Sequence, residues 1–402
     1  MSKVTIKNAT LSGAVTVPAS KSAAHRALIC SFLAGGGSVS PMVASKDMKA
    51  TQQAIEAVRN GDAICDCIES GSTLRFMIPV AAALGRKITF VGTGKLPERP
   101  LGDYLRLLPQ HGVSCESGGG LPLTISGKLE SGVFEIAGDV SSQYITGLLL
   151  ALPLLDGDSE IVLTTPLQSK PYVDMTVSVL ARYGVMVDET ENGYFVKGSQ
   201  HYKKQDFTVE GDWSQAAFFL VAGALGGSVT VKGLDCSSTQ GDKRIVDLLR
   251  EFGAEITVGD DGVTAKKSAL CGTVIDATDI PDMVPSLAVC AAFAEGETVI
   301  KGARRLRFKE SDRIESVVSN LKKMGADVTE TPDGMIIRGG ALHGADLDGY
   351  NDHRIVMAFS VAGLFADGET TITDCESINK SYPDFFDDFR RLGGIADVIG
   401  HR

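Results

Sequence analysis

The segment Gly296-Glu297-Thr298-Val299-Ile300 returns later in the chain as Gly368-Glu369-Thr370-Thr371-Ile372. A glycine that turns the chain into a short β-rich run precedes four more stretches: Gly36 (Gly-Ser-Val-Ser), Gly85 (Arg-Lys-Ile-Thr-Phe-Val), Gly157 (Asp-Ser-Glu-Ile-Val-Leu) and Gly227 (Ser-Val-Thr-Val). A second series, Gly61, Gly112, Gly184, Gly253, Gly325 and Gly393, closes a helical pattern and opens another strand. Both series share a period of roughly seventy residues, shortened only in the first interval of each, Gly36 to Gly85 and Gly61 to Gly112, and self-similarity of this kind means copies of one supersecondary unit. Six copies divide as three per domain.

Each unit reads alike. An apolar helix leads into the first glycine and its strand, an amphipathic helix follows, and a hairpin comes after the second glycine. Asp260-Asp261-Gly262 and Pro332-Asp333-Gly334 carry hairpin-turn chemistry. The leading runs, 27–34, 76–84, 145–155, 216–225, 287–294 and 355–366, are apolar nearly all round. Helices of that kind are buried, which places them inside each domain with sheets and amphipathic helices outside. The expected class is α/β (α+β) with two similar domains.

Composition fits this reading. A chain of 402 residues and 42.4 kDa exceeds one ordinary core. A net charge of −11 argues against nucleic acid or an anionic membrane as partner. Any local cluster of Lys and Arg therefore points to a small anionic ligand. Eight scattered Cys form no CxxC pair, and Cys65-x-Cys67 lacks partners at zinc-ligand spacing, so no metal is expected and the usage suits a reducing cytosol. The start, Met1-Ser-Lys-Val-Thr-Ile, has no apolar signal core and no apolar run reaches ~18 residues, so neither secretion nor a membrane span is expected.

One stretch stands out against the acidic background. Residues 303–313, Ala-Arg-Arg-Leu-Arg-Phe-Lys-Glu-Ser-Asp-Arg, hold five cations and two carboxylates. Ile314, Val317, Val318, Leu321 and Met324 follow at helical spacing, which puts Lys309 and Arg313 on one face of a first helical turn with Glu310 beside them. Read alone, this is a solvated helix start in which Glu310 pairs with Arg313. Other polar residues lie just before the apolar runs: Lys21-Ser22, 69–73, Ser141-Ser142-Gln143, Asp212, Asp282 and 351–353. Each could be an ordinary helix cap. Helix starts also offer free N–H groups and partial positive charge, and with Arg26, Arg75, Arg99, Lys170, Lys309, Arg313, Arg354 and Lys380 they would form an anion trap.

The residues of these sites resemble the signatures of the enolpyruvyl transferases. The matching stretches are 18–28 (with Lys21-Ser22 and His25-Arg26), Gly71-Ser72-Thr73-Leu74-Arg75, Pro97-Glu98-Arg99-Pro100-Leu101-Gly102, Ser141-Ser142-Gln143 and Ser169-Lys170-Pro171-Tyr172. Ile280-Pro281-Asp282, Lys309-Glu310-Ser311-Asp312-Arg313, Asn351-Asp352-His353-Arg354 and 380–385 complete the set. Their order is that of the branch of the family acting on shikimate 3-phosphate, and they span essentially the whole chain.

The resemblance implies two domains, each of three βαβαββ repeats with buried helices inside: 1–19 with 211–402, and 20–210. Substrates would lie in a cleft between them that closes on binding. It implies transfer of the carboxyvinyl group of phosphoenolpyruvate to the 5-hydroxyl of shikimate 3-phosphate, without cofactor or metal, by a cytoplasmic monomer. Glu310 becomes the expected acid toward C3 of the enolpyruvate, and Asp282 the base at the hydroxyl, with Lys21 touching both substrates. The acid's role needs a proton available near neutral pH, so burial must offset its cationic neighbours. Shikimate 3-phosphate would be held by Lys21, Ser22, Arg26, Ser141, Ser142, Gln143, Ser169, Asp282 and Lys309. Phosphoenolpyruvate would be held by Lys21, Gly71, Arg99, Gln143, Arg313, Arg354 and Lys380. Arg suits the task because its planar fork pairs bidentately with carboxylate and phosphate oxygens. The Tyr172 ring lies against the shikimate ring or simply packs, and His25 and His353 read as structural hydrogen-bonders.

Three positions depart from the family pattern. Glu69 and Arg305 stand where many members carry Asn, and Ala23-Ala24 replaces larger or polar residues. Glu69 adds negative charge near the proposed donor site and bears on sensitivity to glyphosate-type inhibitors. Two alternatives remain: the sister transferase acting on UDP-N-acetylglucosamine, which uses a reactive Cys that the loop 92–99 lacks, and a non-catalytic anion-binding protein, which would have no need of Asp282 and Glu310.

Overall fold

The computed structural model describes residues 2–260 and 262–400, so Asp261 of the expected 260–262 turn lies outside the described residues. The chain divides into two compact units, Met1–Ala19 with Glu210–Arg402, and Ser20–Val209.

In the first unit three four-stranded sheets surround three inner helices, Trp213–Gly226, Val284–Phe293 and His353–Gly363. Every sheet has the same plan. A leading strand pairs in parallel with the strand after the first glycine, and that strand pairs antiparallel with the first of two further antiparallel strands, which form a hairpin in two of the three sheets. Val274–Asp276, Glu297–Lys301, Gly334–Arg338 and Asp327–Thr331 lie in that spatial order. The expected turn at 332–333 joins the last two. Residue Gly302 turns the chain at φ +72 after its strand, in the left-handed region that favours glycine.

The last repeat is closed by the start of the chain. Lys3–Lys7 sits between Thr370–Thr373 and Ile395–Ile399 and pairs antiparallel with both. Ser12–Thr16 then supplies the parallel leading strand beside Ser228–Lys232. Val4 and Ile6 point into the core at 0% exposure, and a Cβ on Gly363 would stand 3.0 Å from Ile6, which fits the inner helix tightly against this borrowed strand.

The second unit repeats the plan around Lys21–Leu33, Gly71–Ala83 and Ser142–Ala151. Two of its sheets are four-stranded, and the third consists of Val39–Ser40 paired in parallel with Phe207–Thr208. This is where the glycine interval is short. Lys46–Asn60 closes at Gly61 and the chain enters Ile64–Asp66 at once, so there is no room for a hairpin. The inner helices approach closely: a Cβ on Gly147 would lie 2.3 Å from the Arg75 carbonyl oxygen.

All six inner helices begin about one turn before the apolar runs seen in the sequence. Five of these first turns carry polar side chains, so hydrophobicity underestimates the helix, while Val284–Phe293 opens on the apolar Val284-Pro285. Ser20, Ser70, Ser141, Asp212 and Asp352 each accept a backbone N–H as N-caps.

Candidate active site

The candidate residues gather into two clusters, one in each unit. In the first unit the centre is Arg313, with only 1% of its side chain exposed. Its Nε donates to Asp352 Oδ2 (2.8 Å), Nη1 to Asp282 Oδ1 (2.9 Å) and Nη2 to Glu310 Oε2 (2.6 Å). Arg354 Nη2 donates to the other Asp282 oxygen (2.9 Å) and to Ser214 Oγ (3.1 Å). Lys309 Nζ stands 3.7 Å from Asp282 Oδ1, and Lys380 Nζ donates to the Asn351 carbonyl (2.7 Å).

The solvated-helix reading of 303–313 is therefore wrong in two respects. The Glu310–Arg313 pair exists, but the guanidinium is buried among carboxylates. Lys309 is extended (φ −87, ψ −155) and lies before the helix, because Asp312 caps Arg313–Lys323 and fixes its start. Residues 304–308 form a 3₁₀ turn instead of a solvated helix start. The apolar face follows as expected, with Ile314, Val317, Val318, Leu321 and Met324 all buried.

The electrostatics follow from this packing. Burial alone would raise the Asp282 carboxyl, but Arg354, Lys309 and Arg313 outweigh it and hold the group well below the usual carboxylate range. Burial brings Lys309 down to about 8; Asp282 pulls the other way, and Arg313 adds to the lowering. Burial opposes the charge on Arg313 too, yet Asp352, Glu310 and Asp282 raise it further above its ordinary value. Glu310 keeps 23% of its side chain exposed, so its burial is partial.

In the second unit Lys21 Nζ donates to Asp47 Oδ2 at 2.7 Å. Arg26 is buried and reaches only uncharged groups: Thr176 Oγ1 (2.7 Å), the Ser22 carbonyl (2.6 Å), the Tyr172 carbonyl (2.9 Å) and Thr146 Oγ1 (3.3 Å). Burial lowers its pKa to about 10. A buried guanidinium with no carboxylate among these bonds suits an incoming phosphate. Ser141 caps the helix that begins Ser142-Gln143, and Gln143 donates to Ser72 Oγ (3.0 Å) while accepting from Arg75 Nη1 (2.8 Å). Gly71 opens its helix with no Cβ, and Arg99 fills that space: a Cβ there would lie 2.2 Å from Arg99 Nη1. Ser169 precedes Lys170–Arg182 at φ +56, a conformation that costs a non-glycine residue energy and is found preferentially at functional positions. Tyr172 remains half-buried. Lys170 projects outward to Asp174 (2.6 Å) and Glu189 (3.3 Å).

Asp47 was not singled out from the sequence, and Arg75 and Asp352 were named there only as a trap cation and a helix-start residue, with no partner assigned. Arg75 joins Gln143 to the Pro100 carbonyl (3.0 Å), next to Arg99. Asp47 binds Lys21, and Asp352 binds Arg313. Asp352 read as the carboxylate of a helix start, and Asp47 lies in the first turn of Lys46–Asn60, but Arg313 and Lys21 come to them from distant segments that no local pattern reveals.

Comparisons with known proteins place the whole chain among its relatives. Residues 49–389 match the family model of EPSP synthase (3-phosphoshikimate 1-carboxyvinyltransferase). The chain is 43% identical to the 3-phosphoshikimate 1-carboxyvinyltransferase of Clostridium novyi, covering 99% of both chains. It is 42% identical to that of Methanocorpusculum labreanum, over 97% of this chain and 98% of the other. Among solved structures, EPSP synthase from Acinetobacter baumannii superposes with a TM-score of 0.82 at 27% identity, covering 100% of both chains.

Proposed function

The chain belongs to the EPSP synthase family, and on that premise we propose how its residues carry the family's reaction. The enzyme transfers the carboxyvinyl group of phosphoenolpyruvate to the 5-hydroxyl of shikimate 3-phosphate and releases phosphate, on the route to chorismate and aromatic amino acids. The 5-oxygen must bond to C2 of the enolpyruvate while C3 gains a proton. That proton and the phosphate then leave, and the double bond returns. One observation carries the assignment of roles: two carboxylates, Asp282 and Glu310, share the Arg313 guanidinium beside Arg354 and Lys309.

Asp282 is the base toward the 5-hydroxyl and Glu310 the acid toward C3. Held by three cations, Asp282 is a poor base until anionic substrates compete for Arg313 and Arg354, which returns its basicity when substrate is present. Lys309, Arg26, Ser22, Ser141, Ser142, Gln143 and Ser169 hold shikimate 3-phosphate, with the half-buried Tyr172 ring against its carbocycle. Gly71, Arg99, Gln143, Arg313, Arg354 and Lys380 hold phosphoenolpyruvate, and Lys21 serves both substrates.

We read the protein as a cytoplasmic monomer without a nucleic-acid partner. The net charge of −11 supports the absence of a nucleic-acid partner and the eight free thiols support a reducing compartment, while the monomer is what the family resemblance implies; among the described residues no helix is long and apolar enough to cross a membrane. The test is phosphate release from phosphoenolpyruvate with shikimate 3-phosphate or UDP-N-acetylglucosamine as acceptor. Release with the first alone is expected. Release with the sugar nucleotide alone overturns the acceptor, and tight binding without release in either case overturns catalysis.

A further inference from the structure

A buried chain of hydroxyl groups runs behind the second cluster. His25 Nδ1 lies 2.6 Å from Thr51 Oγ1, Thr51 Oγ1 lies 2.7 Å from Thr73 Oγ1, and Thr73 Oγ1 donates to Ser70 Oγ at 2.8 Å. Ser70 also accepts the Thr73 backbone N–H at 3.2 Å as the N-cap of Gly71–Ala83. All four side chains are at most 1% exposed. They come from three helices: Lys21–Leu33, Lys46–Asn60 and the start of Gly71–Ala83.

The direction of this chain can be deduced from hydrogen counting. Each threonine hydroxyl has one hydrogen to give. Thr73 spends its hydrogen on Ser70, so it must receive one from Thr51. Thr51 has then spent its own, so it must receive from His25. The imidazole therefore carries its proton on Nδ1, and Nε2 is a bare lone pair; that atom is buried with no hydrogen-bond partner. Burial, followed by the charges of Lys21 and Arg26, holds the ring's pKa well below its ordinary 6.5, so the ring stays neutral at working pH and the tautomer does not change. Phe76 packs edge-on against the ring, with centroids 6.3 Å apart.

The same helix pair carries a second tie one turn away. Lys21 precedes His25 by four residues, Asp47 precedes Thr51 by four, and Lys21 Nζ donates to Asp47 at 2.7 Å. Lys46–Asn60 thus grips the Lys21 helix by two adjacent rungs, and through Thr51 it also grips the cap of the Gly71 helix.

We propose that His25, Thr51 and Thr73 are positioning residues for the donor site, a one-way hydrogen-bond relay that fixes the Lys21 ammonium relative to the Gly71 helix start. None of the three touches substrate on this reading. The inference rests on the assignment of Lys21 and Gly71 to phosphoenolpyruvate. Breaking the relay lets the two elements shift without removing a ligand group, and misplacements of about 1 Å cost up to ~100-fold where groups act together.

The first test is steady-state kinetics of Thr51→Val, which keeps shape and removes the hydroxyl, with Thr51→Ser as the conservative rescue. Thr51→Val is expected to raise the KM for phosphoenolpyruvate, which both Lys21 and the Gly71 helix start serve, about tenfold, to raise the KM for shikimate 3-phosphate, which of the two only Lys21 serves, by less, and Thr51→Ser to recover most of the loss. A variant that only melts earlier, with both KM values and kcat intact, overturns the relay in favour of plain packing. The second test needs no variant. Nitrogen-15 NMR of ring-labelled wild-type protein should show His25 as the Nδ1–H tautomer across pH 6 to 8; an Nε2–H ring overturns the proposal. Wild-type protein that turns over neither acceptor would count against the assigned function, while the tautomer would still decide the relay.

Discussion

Arg313 and Lys309 meet the same carboxylate with different outcomes. Arg313 is enclosed by Asp352, Asp282 and Glu310, which more than offset its desolvation, whereas Lys309 has Asp282 at 3.7 Å and its pKa falls to about 8. Folded protein gives up the Lys309 proton near pH 8, while the unfolded chain keeps it to about 10.5. Between those values the unfolded state binds more protons, so stability rises with pH, and below pH 8 the cost of the buried charge is fully present. Lys309→Met should therefore stabilise the protein at pH 7 by roughly 1–2 kcal/mol, read from urea midpoints, while weakening shikimate 3-phosphate binding. For the wild type, kcat/KM for shikimate 3-phosphate should fall as pH passes about 8, and Lys309→Arg should move that limb upward. Asp352 supports Arg313 from a position that is 0% exposed, so Asp352→Asn should cost about 3–5 kcal/mol in denaturant unfolding by leaving a buried cation short of its counter-charge. At this scale the sequence exposed the Glu310–Arg313 pair through its spacing. It could not expose Asp282 and Asp352 on the same guanidinium, because those contacts join segments 31 and 39 residues away.

Helix starts are where the sequence was most informative about elements. Ser70, Ser141, Asp212 and Asp352 were visible as cap types before apolar runs, and each does cap its helix, whereas at the first helix the cap is Ser20 rather than the Lys21-Ser22 read from the sequence, and Asp282 lies inside the short turn Pro281–Met283. What hydrophobicity concealed was the first turn itself, since Lys21, Ser72 and Arg354 are polar residues already inside their helices. It also concealed the loss of one hairpin, although the short Gly61-to-Gly112 interval was a trace of it. Gly71 is the most exacting of these starts. A methyl group there would collide with Arg99 Nη1 at 2.2 Å, and the guanidinium end can move where backbone could not. Gly71→Ala is expected to raise the KM for phosphoenolpyruvate about tenfold or more with little change in Tm, measured by steady-state kinetics and thermal unfolding.

At the scale of the molecule the repeat period was enough to count the units, because a glycine-opened strand and a glycine-closed helix recur regardless of what fills them. The period could not show which strand completes the last sheet, since Lys3–Lys7 finds its partners at Thr370–Thr373 and Ile395–Ile399. Ile6 anchors that strand at 0% exposure. Ile6→Ala should cost about 2–5 kcal/mol. Hydrogen exchange should accelerate in 370–373 and 395–399 while the unit Ser20–Val209 keeps its protection. The borrowed strand also imposes a timetable on biosynthesis. Ser20–Val209 has all of its strands by the time residue 209 is made, and it can fold as soon as it clears the ribosome. Lys3–Lys7 emerges ahead of that unit and waits longer, its backbone donors unmatched until residues 370–373 and 395–399 have been translated. An unpaired strand that leaves Val4 and Ile6 uncovered for that long is a template for pairing with neighbouring nascent chains, so slow translation of the final repeat should favour aggregation more than slow translation of any earlier one.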